Sequence, residues 1–326
     1  MKFLLKLLIA TVVASAHVAA FAADVFPSKP VTIIVPYSAG GPIDALMRSV
    51  AVELRKEWNQ SVVIDNKPGA NEIIGAVSLV KTQPDGYTLM AATEAAILLN
   101  PLLYKKLSYD PSKQFENVSL LARSPLVFTV PATLPVDNMK QFVEYAKNRK
   151  SKPMTYGSTG VGGPTHLPFE SLMSDNEISL THVPYKGGMP VLQALLAGEV
   201  DAGTIGSSLI EQHVKSGKVK ALAVSADRRL PSLPNVPTFA ETGIRDINAS
   251  YILGLVAPTG TPLQTMTKIS GDIRKILQSP EFQKKNLEPF GFQAVGSDPA
   301  SFTEYLRKEM PAQMRRVKLS GVQLEM

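Results

Sequence analysis

The 326-residue chain contains no cysteine. Disulfides, thiol nucleophiles, iron–sulfur clusters and cysteine-zinc centres are therefore excluded. Histidine is scarce, with four in all. Beyond the N-terminal segment they are His166, His182 and His213, and none has a second histidine three or four residues away. The paired histidines of a zinc-binding helix are missing, so no metal site is expected. Charge of one sign is not concentrated either. The chain carries 34 Lys+Arg against 28 Asp+Glu; Lys2 and Lys6 fall within residues 1–22, which hold no acid, leaving 32 against 28 for the rest. That surplus is small, and no basic patch interleaved with aromatics points to nucleic acid. It is compatible with a small anionic ligand. After residue 22 no apolar run approaches the ~20 residues that span a bilayer, so the product is not expected to be membrane-embedded.

Enzyme signatures are absent as well. Gly157-Ser158-Thr159-Gly160 lacks the spacing of a nucleophile elbow. The run Gly160 to Thr165 misses the third glycine of a dinucleotide loop, and Gly217-Lys218-Val219 lacks the hydroxyl residue of a phosphate loop. The expectation is a protein that is not an enzyme and holds no cofactor. A hydrolase acting at Ser158 or Ser38 is the least supported alternative.

What the chain does have begins at its start. Lys2 and Lys6 precede an apolar stretch from Leu7 to Val18, followed by Ala20 and Ala22. This is the pattern of a secretory signal peptide over 1–22, cut after Ala22 or one residue later. The apolar middle is too short for the competing reading, a transmembrane anchor. The expected location is the periplasm, without a lipid anchor, since no cysteine follows the cut. About 300 residues remain, usually more than one hydrophobic core, so two lobes are expected.

The pattern of elements is α/β. Val31–Val35, Val62–Ile64 and Tyr87–Met90 read as strands, separated by helices carrying Ile43, Leu46, Met47, Val50 and Leu54, then Ile73, Ile74, Val77 and Val80. This alternation indicates a mostly parallel sheet. Strands are expected at 118–121 and 126–130, after which the alternation restarts: helix 139–148, strand 154–156, helix from Thr165, strand 178–183, helix 190–196 closed by Gly198, strand 219–224. Apolar residues 251–256 follow, then helices 262–277 and 299–310. The stretches near 118–130 and 251–256 are expected to cross between lobes, giving a first lobe of 23–125 plus 252–326 and a second of 126–251.

Two glycine loops each run into a helix start: Tyr37, Ser38, Ala39, Gly40 and Gly41 before Asp44, and Ser158, Thr159, Gly160 and Gly162 before His166. A helix start offers unpaired N–H groups and a partial positive charge, and glycine lets a ligand come close. The same glycines also serve plain strand-to-helix turns. Lys186, in Tyr185-Lys186-Gly187-Gly188, either adds charge to a cleft or is solvated. His166 either donates to a carboxylate or only caps and packs.

Several segments together resemble the Bug family of periplasmic solute receptors of tripartite tricarboxylate transporters. They include Lys29-Pro30-Val31-Thr32-Ile33-Ile34-Val35-Pro36, Asn66-Lys67-Pro68-Gly69-Ala70, Pro84-Asp85-Gly86-Tyr87-Thr88-Leu89, Gly217 to Val224 and Ala257-Pro258-Thr259-Gly260-Thr261-Pro262. The resemblance implies a two-lobed periplasmic binding protein, type II-like, whose cleft closes on a small carboxylated solute: a di- or tricarboxylate, an aromatic carboxylate or an amino acid. It carries the carboxylate-holding positions to Tyr37–Asp44 and Ser158–His166, with Thr93, Lys186, Gly187, Gly206 and Ser207 lining the rest. It further implies membrane subunits of the transporter as partners, and a monomer is expected. A periplasmic sensor reading the same closed form is the alternative. Departures from the family pattern are Ser38-Ala39, Ile43, Ile252 and Glu94. Glu94 either faces the cleft, where it would favour a ligand amine or hydroxyl, or points to solvent.

Overall fold

The computed structural model describes residues 26–149, 153–185, 187–244 and 250–324. The signal-peptide reading of 1–22 and the position of Lys186 lie outside the described residues.

Strands β1 (Val31–Val35), β2 (Val62–Asn66) and β3 (Thr88–Thr93) pair in parallel in the order β2-β1-β3. Helices α1 (Pro42–Trp58) and α2 (Ile73–Leu79) connect them. In β1, Val31, Ile33 and Val35 pack with Leu46, Met47 and Val50 of α1 on one face. Ile34 packs with Ile73 and Leu79 of α2 on the other. That period of two places the sheet between two helical layers.

Strand β4 runs unbroken from Phe115 to Pro131. Strand residues were expected here at 118–121 and 126–130, with Pro125 lying between them in the sequence. The proline instead stands where the strand changes neighbours. Up to Pro125, β4 pairs antiparallel with β9 (Ser250–Pro258); from Leu126 it pairs antiparallel with β7 (Ala202–Gly206) and β8 (Val219–Val224). A residue without N–H fits at a change of ladder partner. The returning segment 251–256 lies inside β9, which is paired on both edges, to β3 and β4.

The second half of the sheet continues from β7 to β5 (Met154–Ser158) and β6 (Leu180–Pro184), all parallel. Helices α3 (Met139–Lys147), α4 (Leu167–Asn176), α5 (Gly188–Ala197) and α6 (Ser207–Lys215) cover it. Phe128, Phe142 and Phe169 form the core on one face, and Val191, Leu195 and Ile210 on the other. The pair β7–α6 has no counterpart in the sequence reading. Ala202-Gly203-Thr204-Ile205-Gly206 has little strand propensity, yet Gly203 is in register with Gly157 and both lie against Val191 of α5. The missing side chains let the helix settle on the sheet.

Helix α4 begins two residues later than expected, because Gly163 closes a turn onto the N–H groups of His166 and Leu167. After α7 (Leu263–Gln278) the chain ends in α8, Pro299–Ser320, capped by Asp298 accepting from the Ser301 N–H. It runs ten residues past the expected end, through Pro311. Its distal half leaves the first half-sheet: Arg315 pairs with Asp175 of α4, and Val317 clusters with Leu167 and Leu103. Among the described residues no helix is long and apolar enough to cross a membrane.

Gly254 of β9 marks the tightest helix-to-sheet contact. A Cβ there would lie 2.4 Å from the ring of Phe302, which is fully buried in α8. We expect Gly254→Ala to destabilise the protein by about 1–3 kcal/mol, with Phe302→Leu restoring part of the loss in the double variant. Urea unfolding of the three variants checks this; equal midpoints for Gly254→Ala and wild type would show that the helix yields freely.

Candidate functional site

A cavity of about 420 Å³ lies where the two half-sheets meet. Its first wall is built from the β1–α1 loop, the end of β3 and the start of β9. Gly41, Pro42 and Ile43 line it together with Tyr37, Thr93, Tyr251, Ile252 and Leu253. Helix α1 has Gly41 as N-cap, Pro42 at its first position and no side-chain cap, so the N–H groups of its first turn carry no side-chain acceptor at the cavity edge.

Asp44 does not face this space. It is buried and accepts from the Gly40 N–H at 2.8 Å, Arg48 Nε at 2.9 Å and Asn66 Nδ2 at 2.9 Å. Asn66 also donates to the Tyr37 carbonyl at 3.0 Å. The carboxylate thus braces the loop whose helix start lines the wall. Its hydrogen bond from Arg48, aided by the Gly40 and Asn66 donors, lowers its pKa to about 2. Ser38, Ala39 and Gly40 are exposed and lie off the cavity; Gly40, at φ +86°, supplies the left-handed turn.

Glu94 takes neither of its two expected positions. It is 4 % exposed, does not line the cavity, and accepts from the Ile252 N–H at 2.9 Å. A second buried carboxyl, Glu72, was not anticipated. It accepts hydrogen bonds from the Tyr37 hydroxyl, from the Thr93 hydroxyl and, at 3.0 Å, from the Thr93 N–H. Tyr37 and Thr93 are the cavity-lining members of that cluster. Ala70, Asn71 and Glu72 all adopt positive φ, +71° at Glu72, a conformation that costs a non-glycine residue about 1 kcal/mol. The sequence offers no local signal for this; only the fold brings residue 72 under residues 37 and 93.

The opposite wall differs from the one expected. Of the β5–α4 loop, only Thr159 and Thr165 line the cavity. Its amides are consumed internally: Thr159 N–H donates to Thr165 Oγ1 at 2.9 Å, Gly160 N–H to Ser158 Oγ at 3.1 Å, and Gly162 N–H to His166 Nδ1 at 3.1 Å. Ser158 is fully buried, 2.6 Å from His182 Nε2, in a stack that includes His166 4.0 Å from His182. Burial, reinforced by the neighbouring His166, lowers the His182 pKa to about 4. The pair has the composition of a nucleophile and its base, but a sealed serine off the cavity meets no substrate. Gly162 packs on Leu103 instead of lining the site.

Helix starts at this wall come from α5 and α6. Gly188, Gly206, Ser208 and Leu209 line the cavity, and α6 has N-cap Gly206 with no side-chain cap. A Cβ on Gly188 would come within 2.8 Å of Leu209, so the two starts converge. Gly187 and Ser207, placed in the site by the resemblance, stand beside the lining residues without joining them. Pro289, Phe290 and Phe292 close the remaining side, a contribution absent from the sequence reading. Gly291 presses this segment onto α6, where a Cβ would lie 2.9 Å from Ser207 Oγ.

Among the described residues no lysine, arginine, histidine, aspartate or glutamate lines the cavity. Its polar groups are hydroxyls and the amides of helix starts.

Burial, with Glu72 as a lesser contributor, raises the Glu94 pKa from 4.5 to about 8. The folded protein therefore keeps this proton at a pH where the unfolded chain has lost it. The associated stability is complete below about pH 4.5 and is lost as pH rises to about 8. Glu94→Gln does not ionise and retains an acceptor for the Ile252 N–H. Its stability relative to wild type is expected to rise between pH 5 and pH 8.5 by about 1 kcal/mol or more. Parallel pH profiles of the two urea midpoints would contradict this.

The chain matches the family model described as "Tripartite tricarboxylate transporter family receptor" over residues 46–319. It is 31% identical to protein BugT of Bordetella pertussis over 285 residues, which cover 87% of this chain and 86% of BugT. An R. palustris protein solved with adipate is 30% identical with a TM-score of 0.76, covering 92% of this chain and 100% of that one. MatC from Rhodopseudomonas palustris with bound malate is 27% identical at a TM-score of 0.72, covering 90% and 100%. With a match across most of its length, and a cavity between two α/β half-sheets, this chain belongs to the tripartite tricarboxylate transporter receptor family, whose members are solute-binding receptors and not enzymes.

Proposed function

We propose that the protein is a periplasmic receptor that captures a small carboxylate and presents it to the membrane subunits of a tripartite transporter. The observation that carries this reading is a cavity with uncapped helix starts, α1 on one wall and α6 on the other, and no charged side chain among its described lining residues. An anion held there would receive N–H donors from both sides and the positive ends of two helices. Water-free surroundings would strengthen each charge-assisted hydrogen bond. The relatives solved with adipate and malate support a carboxylate as ligand.

On this reading the lobes are 23–125 plus 252–326 and 126–251, and they close around the solute. The closed form, stable as a monomer, is what the transporter recognises, and export relies on the leader at 1–22.

A thermal-shift panel of mono-, di- and aromatic carboxylates tests the reading. A ligand at about 100 times its Kd should stabilise the protein by about 2.7 kcal/mol. Leu209→Trp, which fills the cavity beside the α6 start, should abolish the shift. A flat response across the panel, or an undiminished shift in Leu209→Trp, would overturn it.

A further inference from the structure

Two groups of hydroxyls line the cavity, and their protons are committed differently. On the first wall Tyr37 and Thr93 both donate to the buried Glu72, whose other oxygen accepts the Thr93 N–H. The carboxylate form of Glu72 accepts all three bonds; a carboxylic acid protonated on the other oxygen would still accept both hydroxyls at Oε1 and would hold the Thr93 N–H more weakly. Burial outweighs the hydrogen bonds from Thr93 and Tyr37 and leaves the Glu72 pKa above the ordinary carboxylate value. With their protons spent inward, the hydroxyls of Tyr37 and Thr93 have only lone pairs left to offer, and one of those on Thr93 Oγ1 already accepts the Ala95 N–H at 3.3 Å.

On the second wall Thr159 Oγ1 lies 2.8 Å from Thr165 Oγ1 and 2.9 Å from the hydroxyl of Tyr251, whose strand belongs to the first wall. These two contacts use two of three hydroxyl protons, and no buried carboxylate binds the third. This wall therefore retains a proton to offer, beside the amides at the α6 start.

We infer that the Tyr37–Thr93 wall, set by Glu72 behind it, receives a hydrogen-bond donor of the ligand, so that the solute is a carboxylate bearing a hydroxyl or ammonium group away from that carboxylate. The inference rests on the carboxylate-receptor reading and narrows its substrate class. A second carboxylate at this wall would face lone pairs and find no hydroxyl proton to accept. An ammonium or hydroxyl would meet two acceptors. Glu94, immediately after Thr93, is buried too, but it holds its proton up to about pH 8 and adds no charge to the wall below that. The left-handed backbone at Glu72 holds an unfavourable conformation at the one residue that commits both protons.

Isothermal titration with matched probes tests the inference. One series is butanoate, 4-hydroxybutanoate, 4-aminobutanoate and succinate; the other is hexanoate, 6-hydroxyhexanoate, 6-aminohexanoate and adipate. In wild type, the hydroxy or amino member should bind at least about tenfold tighter than the dicarboxylate of equal length. In Glu72→Gln, which frees the wall hydroxyls to donate, that advantage should fall below about threefold. Tyr37→Phe and Thr93→Val should reduce it too, which decides the matter if Glu72→Gln does not fold by circular dichroism. A loss of affinity shared equally by all probes would mark Glu72 as merely structural and overturn the inference. So would a dicarboxylate that binds as tightly as its hydroxy and amino counterparts, although the receptor reading would then stand. Failure of every probe, the monocarboxylates included, would overturn both.

Discussion

Among the described residues that line this cavity none carries charge, so backbone amides and hydroxyls are the groups they offer for holding a ligand. That constraint explains where the charged residues near it go. Asp44 turns inward and accepts from Gly40, Arg48 and Asn66, fixing the loop that presents the α1 start. An amide holds its position only as well as its loop does, so the brace matters more than another donor would. On the facing wall the same requirement is met by glycines. Gly188 and Gly206 keep Cβ atoms away from two converging helix starts, so a ligand can approach the backbone itself.

The two half-sheets share β4, and this restricts how they can move. One strand pairs with β9 before Pro125 and with β7 and β8 after it. Rotation of one half against the other has to be absorbed near Pro125, where the ladder changes partners, and near residue 250, where the chain returns. α8 adds a third connection, through Arg315 and Val317 to α4. Under the proposed lobe closure, opening would pivot about this side and separate the Phe290 segment from the α6 start. Gly291, in close contact with Ser207, marks where they meet.

Much of this architecture was legible in the sequence because it follows from periodicity. The β1-α1-β2-α2-β3 order shows in the alternation of Val31–Val35 and the helical spacing of Leu46 to Leu54. What escaped was governed by tertiary context. Strand β7 is too rich in glycine and alanine to declare itself, and it exists because Gly203 and Gly157 let α5 pack closely. Missing it moved the second wall of the site to the β5–α4 loop, whose glycines look open but whose amides are already bonded to Ser158, Thr165 and His166. A glycine-rich turn thus advertises accessible backbone equally well when its own side chains have consumed it. The α8 extension was lost for a simpler reason: Pro311 reads as a stop, yet packing against α4 carries the helix past it.

Glu94 shows how far a residue type alone can mislead. An acid after a strand suggests either a cleft or solvent, and the structure gives a third outcome, a buried acceptor for a strand amide. Together with Glu72 it places two carboxyl groups behind a wall that has none in front. The polarity of that wall is then decided by groups no ligand touches. Hydroxyls are amphoteric, and which half of their chemistry they offer depends on what stands behind them. The pair Thr159–Tyr251 and the pair Tyr37–Thr93 have nearly the same composition, yet only the second has a buried acid to claim its protons. Selectivity in such a pocket can therefore change through a single buried residue while every lining side chain stays the same.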